Sequence, residues 1–334
     1  MLLGALLILL VLSLALGSET IHPRVVLGIL FGEQGCDPRY QHIVMDFRLV
    51  KTLAAALAGA SLGISGLMMQ TLFRNPLADP FVLGVSSGAS LGVALAVMGG
   101  SALGIDLLAP LGMSGHISIC LAALVGAGAV MGLILLSSRL LGDNLALLLL
   151  GLMFGYAAGA MVSILLYMSS SETSHSYIIW SFGSFAGVSW DQLLLLFTFF
   201  ATGTLLSLRL LKDMNALLLG ENYAKSLGVN TSQVRFWLIA ISSALAAIVT
   251  ASCGPVAFIG LAVPHLARLI LKTGDQRLLF PGCMLAGAAT ALLADIVARL
   301  PGIEGQLPLN AVTCFFGAPV VIWLVLRQRR MIRS

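Results

Sequence analysis

Ten separated stretches of this chain are apolar over 16 to 23 residues: 2–17, 52–73, 81–99, 116–137, 145–167, 191–208, 236–253, 255–271, 279–298 and 308–326. A helix needs about 20 mostly apolar residues to cross the hydrocarbon core of a bilayer. No water reaches a backbone there, so a crossing segment must bond its own N–H and C=O groups, and helices are the default. The first and eighth stretches are short. The eighth holds Gly260 and Pro264 and is expected to be a broken or re-entrant helix. The composition leaves no soluble alternative: 59% of the 334 residues are hydrophobic and 10% are charged, against about 25% charged in a soluble domain, and mean hydropathy is +1.02. The expectation is an all-α, polytopic integral membrane protein with about ten transmembrane helices. It forms a single transmembrane domain over residues 1–334, with no soluble domain of its own. The opening MLLGALLILLVLSLALG also has the look of a signal peptide. It lacks a basic n-region and an A-x-A-like cleavage site, so a retained first helix is expected.

Charge sets the orientation. With the N-terminus in the cytoplasm, thirteen of the 18 lysines and arginines fall on the cytoplasmic side: Arg74, Arg139, Arg209, Lys212, Lys225, Arg235, Arg268, Lys272, Arg277, Arg327, Arg329, Arg330 and Arg333. Five fall outside: Arg24, Arg39, Arg48, Lys51 and Arg299. The positive-inside rule favours this arrangement, with both termini cytoplasmic. Residues 18–50 then form the longest outer connection, with a short surface helix around 24–31. Residues 168–190 form a second, serine-rich outer loop carrying Trp180 and Trp190 as interface anchors. LGENYAKSLGVN (219–230) falls in the cytoplasmic connection 212–234. There Gly220 and Gly228 bracket a polar stretch whose Glu221 and Lys225 stand at i and i+4.

Several chemistries are missing. No G-x-x-x-x-G-K-[ST] occurs, so the chain has no phosphate-binding loop of its own. There is no H-E-x-x-H, and His22, His42, His116, His175 and His265 lack ligand spacing. The five cysteines form no C-x-x-C pair, and four sit in apolar stretches as small hydrophobes. No catalytic set, metal site or nucleic-acid-binding feature is expected. Small-x-x-x-small spacing recurs at Gly59/Gly63, Gly84/Gly88/Gly92, Gly128/Gly132 and Gly151/Gly155/Gly159, as close helix packing requires.

Three interrupted motifs stand out. RNPLADP (74–80) places Pro76 and Pro80 between two spans, a rigid corner because proline blocks helix continuation and biases the preceding residue to extended forms. Asp79 within it reads as a loop or helix-start residue rather than a proton carrier. GPVAFIGLAVPHLARL (254–269) and LPLNAVTCFFGAP (307–319) are the others. In LLADIVARL, Asp295 and Arg299 lie at i and i+4 near the outer end of a span. A local ion pair and an outward docking role for Arg299 are both open.

These stretches resemble a known family. SGLMMQTLFRNPLADPFVLGVSSGAS, LGENYAKSLGVN, GPVAFIGLAVPHLARL, LLFPGCMLAGA, LLADIVARL and LPLNAVTCFFGAPVVIWLVL run from about residue 45 to the C-terminus in the family's order. The chain is similar to the FecCD-type permease subunits of ABC importers for ferric siderophores, haem and vitamin B12. The resemblance implies a homodimer of ten-helix subunits in the inner membrane of a bacterium or archaeon. Its implied partners are two ATP-binding cassette subunits, which bind ATP and Mg, and an external binding protein. It implies that 219–230 forms two short helices at a glycine bend that couple to the ATPase through Leu219, Gly220, Glu221, Ala224, Lys225, Leu227 and Gly228. It implies an inner gate at Asn75, Pro76 and Leu77, and docking of the binding protein on Arg48 and Arg299. The loop LLGDNLALL departs from the family, because Asp143-Asn144 stands where small hydroxyl residues are expected at a second gate.

The expected function is passage of a metal chelate through a channel driven by a separate ATPase, with no enzymatic activity in this chain. An ion-gradient-driven secondary transporter using Asp295 or Asp79 is the alternative. No strong internal repeat supports it. A structural subunit of an electron-transfer complex would need paired His or Cys ligands, which are absent. The expected cavity residues are small and apolar and select weakly, so siderophore, haem and cobalamin are not separated by the sequence.

Overall fold

The computed structural model describes residues 1–17, 21–32, 37–99, 115–140, 144–299 and 306–333. The helices in chain order are α1 (Leu2–Ala15), α2 (Pro23–Leu30), α3 (Pro38–His42), α4 (Leu49–Leu72), α5 (Val85–Ala94), α6 (Gly115–Leu140), α7 (Asn144–Met168), α8 (Ser171–Ser181), α9 (Trp190–Leu218), α10 (Glu221–Ser226), α11 (Thr231–Cys253), α12 (Ile259–Leu271), α13 (Gln276–Val297) and α14 (Leu309–Arg333). A π-helical stretch, Ile43–Arg48, joins α3 to α4, a 3-10 turn at Pro80–Leu83 leads into α5, and a second π-helical stretch, Leu95–Gly99, follows α5. Every apolar stretch marked in the sequence is mainly helical. Six helices are long and apolar enough to cross a membrane: Pro38–Leu72, Ile117–Ser138, Leu145–Met168, Trp190–Leu218, Thr231–Cys253 and Gln276–Val297. Four apolar helices are shorter: Leu2–Ala15, Val85–Gly99, Ile259–Leu271 and Leu309–Ile322.

Burial separates the centre from the rim. In the Pro38–Leu72 helix 83% of the most apolar window is buried, against 17% in Trp190–Leu218 and 22% in Leu145–Met168. Thus α4 is the axle, while α7 and α9 present their leucines outward. The axle is made possible by small residues. A Cβ at Gly59 would lie 2.2 Å from the Gly287 carbonyl oxygen, and one at Gly287 equally close to the Gly59 oxygen. Gly63 meets the Cys283 carbonyl in the same way, so α4 and α13 touch backbone to backbone. The Gly88/Gly92 pair does this for α5 against Gly126 and Ala122 of α6. The expected Gly128/Gly132 contact does not form, because a Cβ at either position would meet open space.

Two expectations about the breaks need correction. Of the two interruptions expected in 254–269, Gly254-Pro255 does break the helix, but Pro264 does not, since it lies inside a continuous α12. The break is at 254–258, where Gly254 (φ 75°) and Phe258 (φ 68°) take left-handed conformations. Pro264 has no N–H to offer the carbonyl four residues back. That carbonyl, of Gly260, lies against α4, where a Cβ at Gly66 would come within 1.8 Å of its oxygen. The outer stretch 168–190 is not all loop either: α8 fills Ser171–Ser181, started by the Ser170 hydroxyl accepting from the Thr173 N–H. The expected surface helix around 24–31 is α2, capped by His22.

Candidate functional site

One end of the bundle gathers the glycine-bracketed stretch and the proline corner. α9 runs unbroken to Leu218. Gly220 (φ 117°) then turns the chain into α10, and Gly228 (φ 84°) turns it out again. Side chains strain such conformations, which is why glycine stands at both ends. The expectation of two short helices is therefore corrected. Among the described residues there is one, of six residues, because the stretch before Gly220 stays within α9. Asn230 caps α11 by accepting from the Gln233 N–H.

Glu221 is the hub of this turn. Its Oε1 accepts from Lys225 Nζ at 3.1 Å, from Arg235 at 3.1 Å and from the Thr231 hydroxyl at 3.2 Å. The i, i+4 pair with Lys225 is the one expected from spacing. Arg235 and Thr231 come from the far side of the turn, and no local spacing points to them. Partial burial alone would push the Glu221 carboxyl up, but Lys225, Arg235 and Thr231 together hold it below the usual glutamate range. The hub fixes α10 against α11 and so fixes which residues face outward. Leu219, Tyr223 and Leu227 are more than half exposed, whereas Ala224 is fully buried. Ala224 is thus a packing residue beneath the helix, and Tyr223 joins the outward face that sequence reasoning drew without it.

The proline corner sits beside this turn. Asn75 Oδ1 accepts from the Leu77 N–H at 2.9 Å, closing a local turn over Pro76. Arg74 adopts φ 47°, and its guanidinium comes 3.7 Å from where a Gly220 Cβ would stand. His265 Nε2 donates to the Pro76 carbonyl at 2.7 Å. Leu77 is exposed. So the structure brings Asn75, Pro76 and Leu77 next to Gly220 and onto α12. On the same end, Asn215 of α9 donates to Asp275 at 2.7 Å and accepts from the Gln276 N–H at 3.0 Å, tying α9 to the start of α13. Residue 143 of the second-gate stretch lies outside the described residues.

The two arginines assigned to docking lie at the opposite end, and both are turned inward. Arg48 is 7% exposed and donates to the Leu14 and Ala15 carbonyls at 2.8 and 2.9 Å. Arg299 pairs with Asp295 and donates to the Leu16 carbonyl and the Ser13 hydroxyl. For Arg299 the local ion pair is the alternative of the two that the geometry forms, and both arginines serve α1: its last carbonyls have no partners within their helix, and cationic groups suit that end of the dipole. Among the described residues no cluster of three or more His, Cys, Asp or Glu could hold a metal ion.

A bundle of apolar helices with backbone-close packing, an exposed helical turn at one end and a proline corner beside it defines a helical membrane permease. The chain belongs to the FecCD transport family, whose pattern matches residues 5–327. It is 38% identical over 327 residues to the vitamin B12 import system permease protein BtuC of Escherichia coli O9:H4 (strain HS), covering 96% of this chain and 92% of that protein. It is 36% identical over 312 residues to BtuC of Citrobacter koseri, covering 92% of this chain and 91% of that protein. Among solved structures, one described as an inward-facing conformation of a metal-chelate type ABC transporter superposes with a TM-score of 0.83 at 31% identity, covering 98% of this chain and 97% of that one. PsaBC from Streptococcus pneumoniae in complex with Fab shares the fold, with a TM-score of 0.57 at 16% identity over 89% of this chain and 94% of that one.

Proposed function

We propose that this chain is the membrane-spanning subunit of an ATP-driven importer that carries a metal chelate, cobalamin first among the candidates. It works as a homodimer with two ATP-binding subunits and receives its cargo from an external binding protein. The observation that carries the reading is the Glu221–Ser226 helix. It is held rigidly between two spans by the Glu221 hub and offers Leu219, Tyr223 and Leu227 outward. A short, stiff, exposed element joined directly to α9 and α11 passes a partner's movement into the membrane. The neighbouring corner at Asn75, Pro76 and Leu77 serves as the inner gate. In this reading the binding protein seats on the opposite end, where Arg48 and Arg299 shape the seat by holding the end of α1. The choice of cobalamin rests on the BtuC relatives. Ferric siderophore and haem are the other members of the substrate class.

Reconstitution into proteoliposomes with the partner ATPase and binding protein tests this. Labelled cyanocobalamin should accumulate only with ATP inside or outside on the ATPase face, and a protonophore should leave uptake unchanged. Ferric siderophore and haem, run in parallel, decide the cargo. Uptake that follows a proton gradient without ATP would replace this reading with the secondary transporter.

The gate carries its own prediction. A single cysteine at position 77, in a background without the native cysteines, should cross-link between the two copies in one nucleotide state and markedly less in another. Equal cross-linking in every state, or none in any, would remove Leu77 from the gate.

A further inference from the structure

α12 has an exposed problem at its start. A helix leaves its first N–H groups without intrahelical partners, and a polar side chain at the preceding residue commonly takes one of them. Here that residue is Phe258, in a left-handed conformation and with no side chain able to accept. A carboxylate comes from elsewhere. Asp79, 6% exposed, accepts from the Phe81 N–H at 2.9 Å, and both oxygens of its carboxylate lie against the first turn of α12, 3.3 and 3.5 Å from where a Cβ on Gly260 would stand. It caps its own 3-10 turn, Pro80–Leu83, and sets its charge at the start of α12 across the packing interface. A negative group at the start of a helix is also favoured by the helix dipole.

The surroundings are built for this contact. The Leu62 carbonyl oxygen stands equally close to that Cβ position at Gly260, at 3.3 Å, so the carboxylate and the α4 backbone together crowd the space that a side chain would need. Gln70 Nε2 donates to the Leu261 carbonyl at 3.0 Å and is itself held by Arg268 at 2.7 Å. His265 donates to the Pro76 carbonyl on the other side of the corner. Asp79 lies two residues beyond Leu77. α12 begins at the 254–258 break, where Gly183 and Trp180 of the segment ending α8 pack on Gly254 and Asn310 at the start of α14 accepts from the Ala257 N–H. Asp79 thus stands between the corner and the start of α12.

We propose that Asp79 is a positioning residue of the inner gate: by capping α12 from the proline corner, it makes the corner follow α12 as the importer changes state. The inference rests on the gate assignment made above, and two measurements separate the two. The first is hydrogen exchange on the intact permease–ATPase complex. Asp79→Ala should raise exchange at the 259–262 amides by about fivefold or more, as expected for loss of a helix cap. Asp79→Asn, which keeps one acceptor oxygen, should raise it less. Gly260→Ala, which drives a methyl group toward the carboxylate, should resemble Asp79→Ala. The second is the nucleotide dependence of cross-linking at position 77. Asp79→Ala should give nearly the same yield in every nucleotide state and lower uptake about tenfold, while Asp79→Asn retains part of the difference.

Unchanged exchange at 259–262 in Asp79→Ala would overturn the cap. Raised exchange with a wild-type nucleotide response at position 77 would overturn the positioning role and leave Asp79 as a stabilising cap only. If the single cysteine at position 77, with Asp79 unchanged, shows no nucleotide response, the gate assignment fails, and with it the role of Asp79 in the gate. The exchange data would still stand as the test of the cap.

Discussion

Glu221→Ala is expected to cut ATP-driven uptake by about tenfold to a hundredfold, the effect of losing one charge-assisted contact worth ~1.5–3 kcal/mol in a coupling element. The change strips Lys225, Arg235 and Thr231 of a shared acceptor. Of these, Lys225 is mostly exposed, and its own pairing contributes little. Arg235 is 8% exposed, so its contact is the one that fixes α10 on α11. The variant should therefore still assemble with the ATPase but transmit its movement poorly, seen as ATP hydrolysis in excess of uptake. Tyr223→Ala should do the opposite. It removes an exposed aromatic from the outward face, where such residues often anchor an interface, so the ATPase should be lost on purification. Lys225→Ala should be nearly silent. Acid distinguishes the hub from the surface. The Glu221 carboxyl is held low, so its contribution to the fold is complete above the ordinary glutamate range and is lost as pH falls through its depressed value. Glu221→Gln should erase that acid-side loss while keeping the Thr231 bond. Wild-type coupling in Glu221→Ala, with hydrolysis and uptake in normal proportion, would show that the hub is not what makes this turn stiff.

How much of this was legible in the sequence depended on whether the governing contact was local. Hydropathy located the helical stretches because burial in lipid is a property of each segment alone. Gly220 and Gly228 were legible because a turn needs glycine whatever lies around it, and Glu221–Lys225 because i, i+4 spacing is local. Arg235 and Thr231 were not, since their approach to Glu221 depends on how sharply α10 folds back. The same reason hid the inward turn of Arg48 and Arg299. Their charge and their place beside a span suggested an outward role, but only the packing of α1 against α4 and α13 brings the carbonyls of Leu14, Ala15 and Leu16 within reach. Asp79 was read as a helix-start residue, and it is one. That its carboxylate also lies against the start of a second helix, at Gly260, could not be inferred from spacing. Pro264 misled for a related reason. A proline inside a helix is tolerated when the carbonyl it frees has a neighbour, and the neighbour here is the bare backbone of Gly66.

Asp295 carries the largest expected effect on stability. Its two oxygens face Lys51 Nζ at 3.2 Å and the Arg299 guanidinium, with side-chain exposures of 4% for Asp295, 9% for Lys51 and 13% for Arg299. Removing one partner of a buried ion pair leaves a cation without compensation and typically costs about 3–5 kcal/mol. Asp295→Ala leaves two such cations beside Arg48. It should therefore lose most of its folded population in a heat or SDS titration that wild type survives. Lys51→Met alone should cost less, because Arg299 still answers Asp295. Lys51→Met combined with Asp295→Ala should recover part of the loss, and the departure from additivity measures the Lys51–Asp295 contact. The recovery is incomplete because Arg299 keeps only neutral acceptors, the main-chain carbonyls of Asp295 and Leu16 and the Ser13 hydroxyl. The same cluster decides what Arg299 is for. If it works by holding α1, Arg299→Gln should lower stability while leaving the rate of binding-protein association and its salt dependence unchanged. If it meets an acidic partner directly, Arg299→Gln should slow association and flatten its salt dependence, and Asp295→Asn, by releasing the guanidinium, should speed it. Additive stability losses in the double variant would show that Lys51 and Asp295 do not act as a pair, and the axle of α4 and α13 would then rest on its glycine contacts alone.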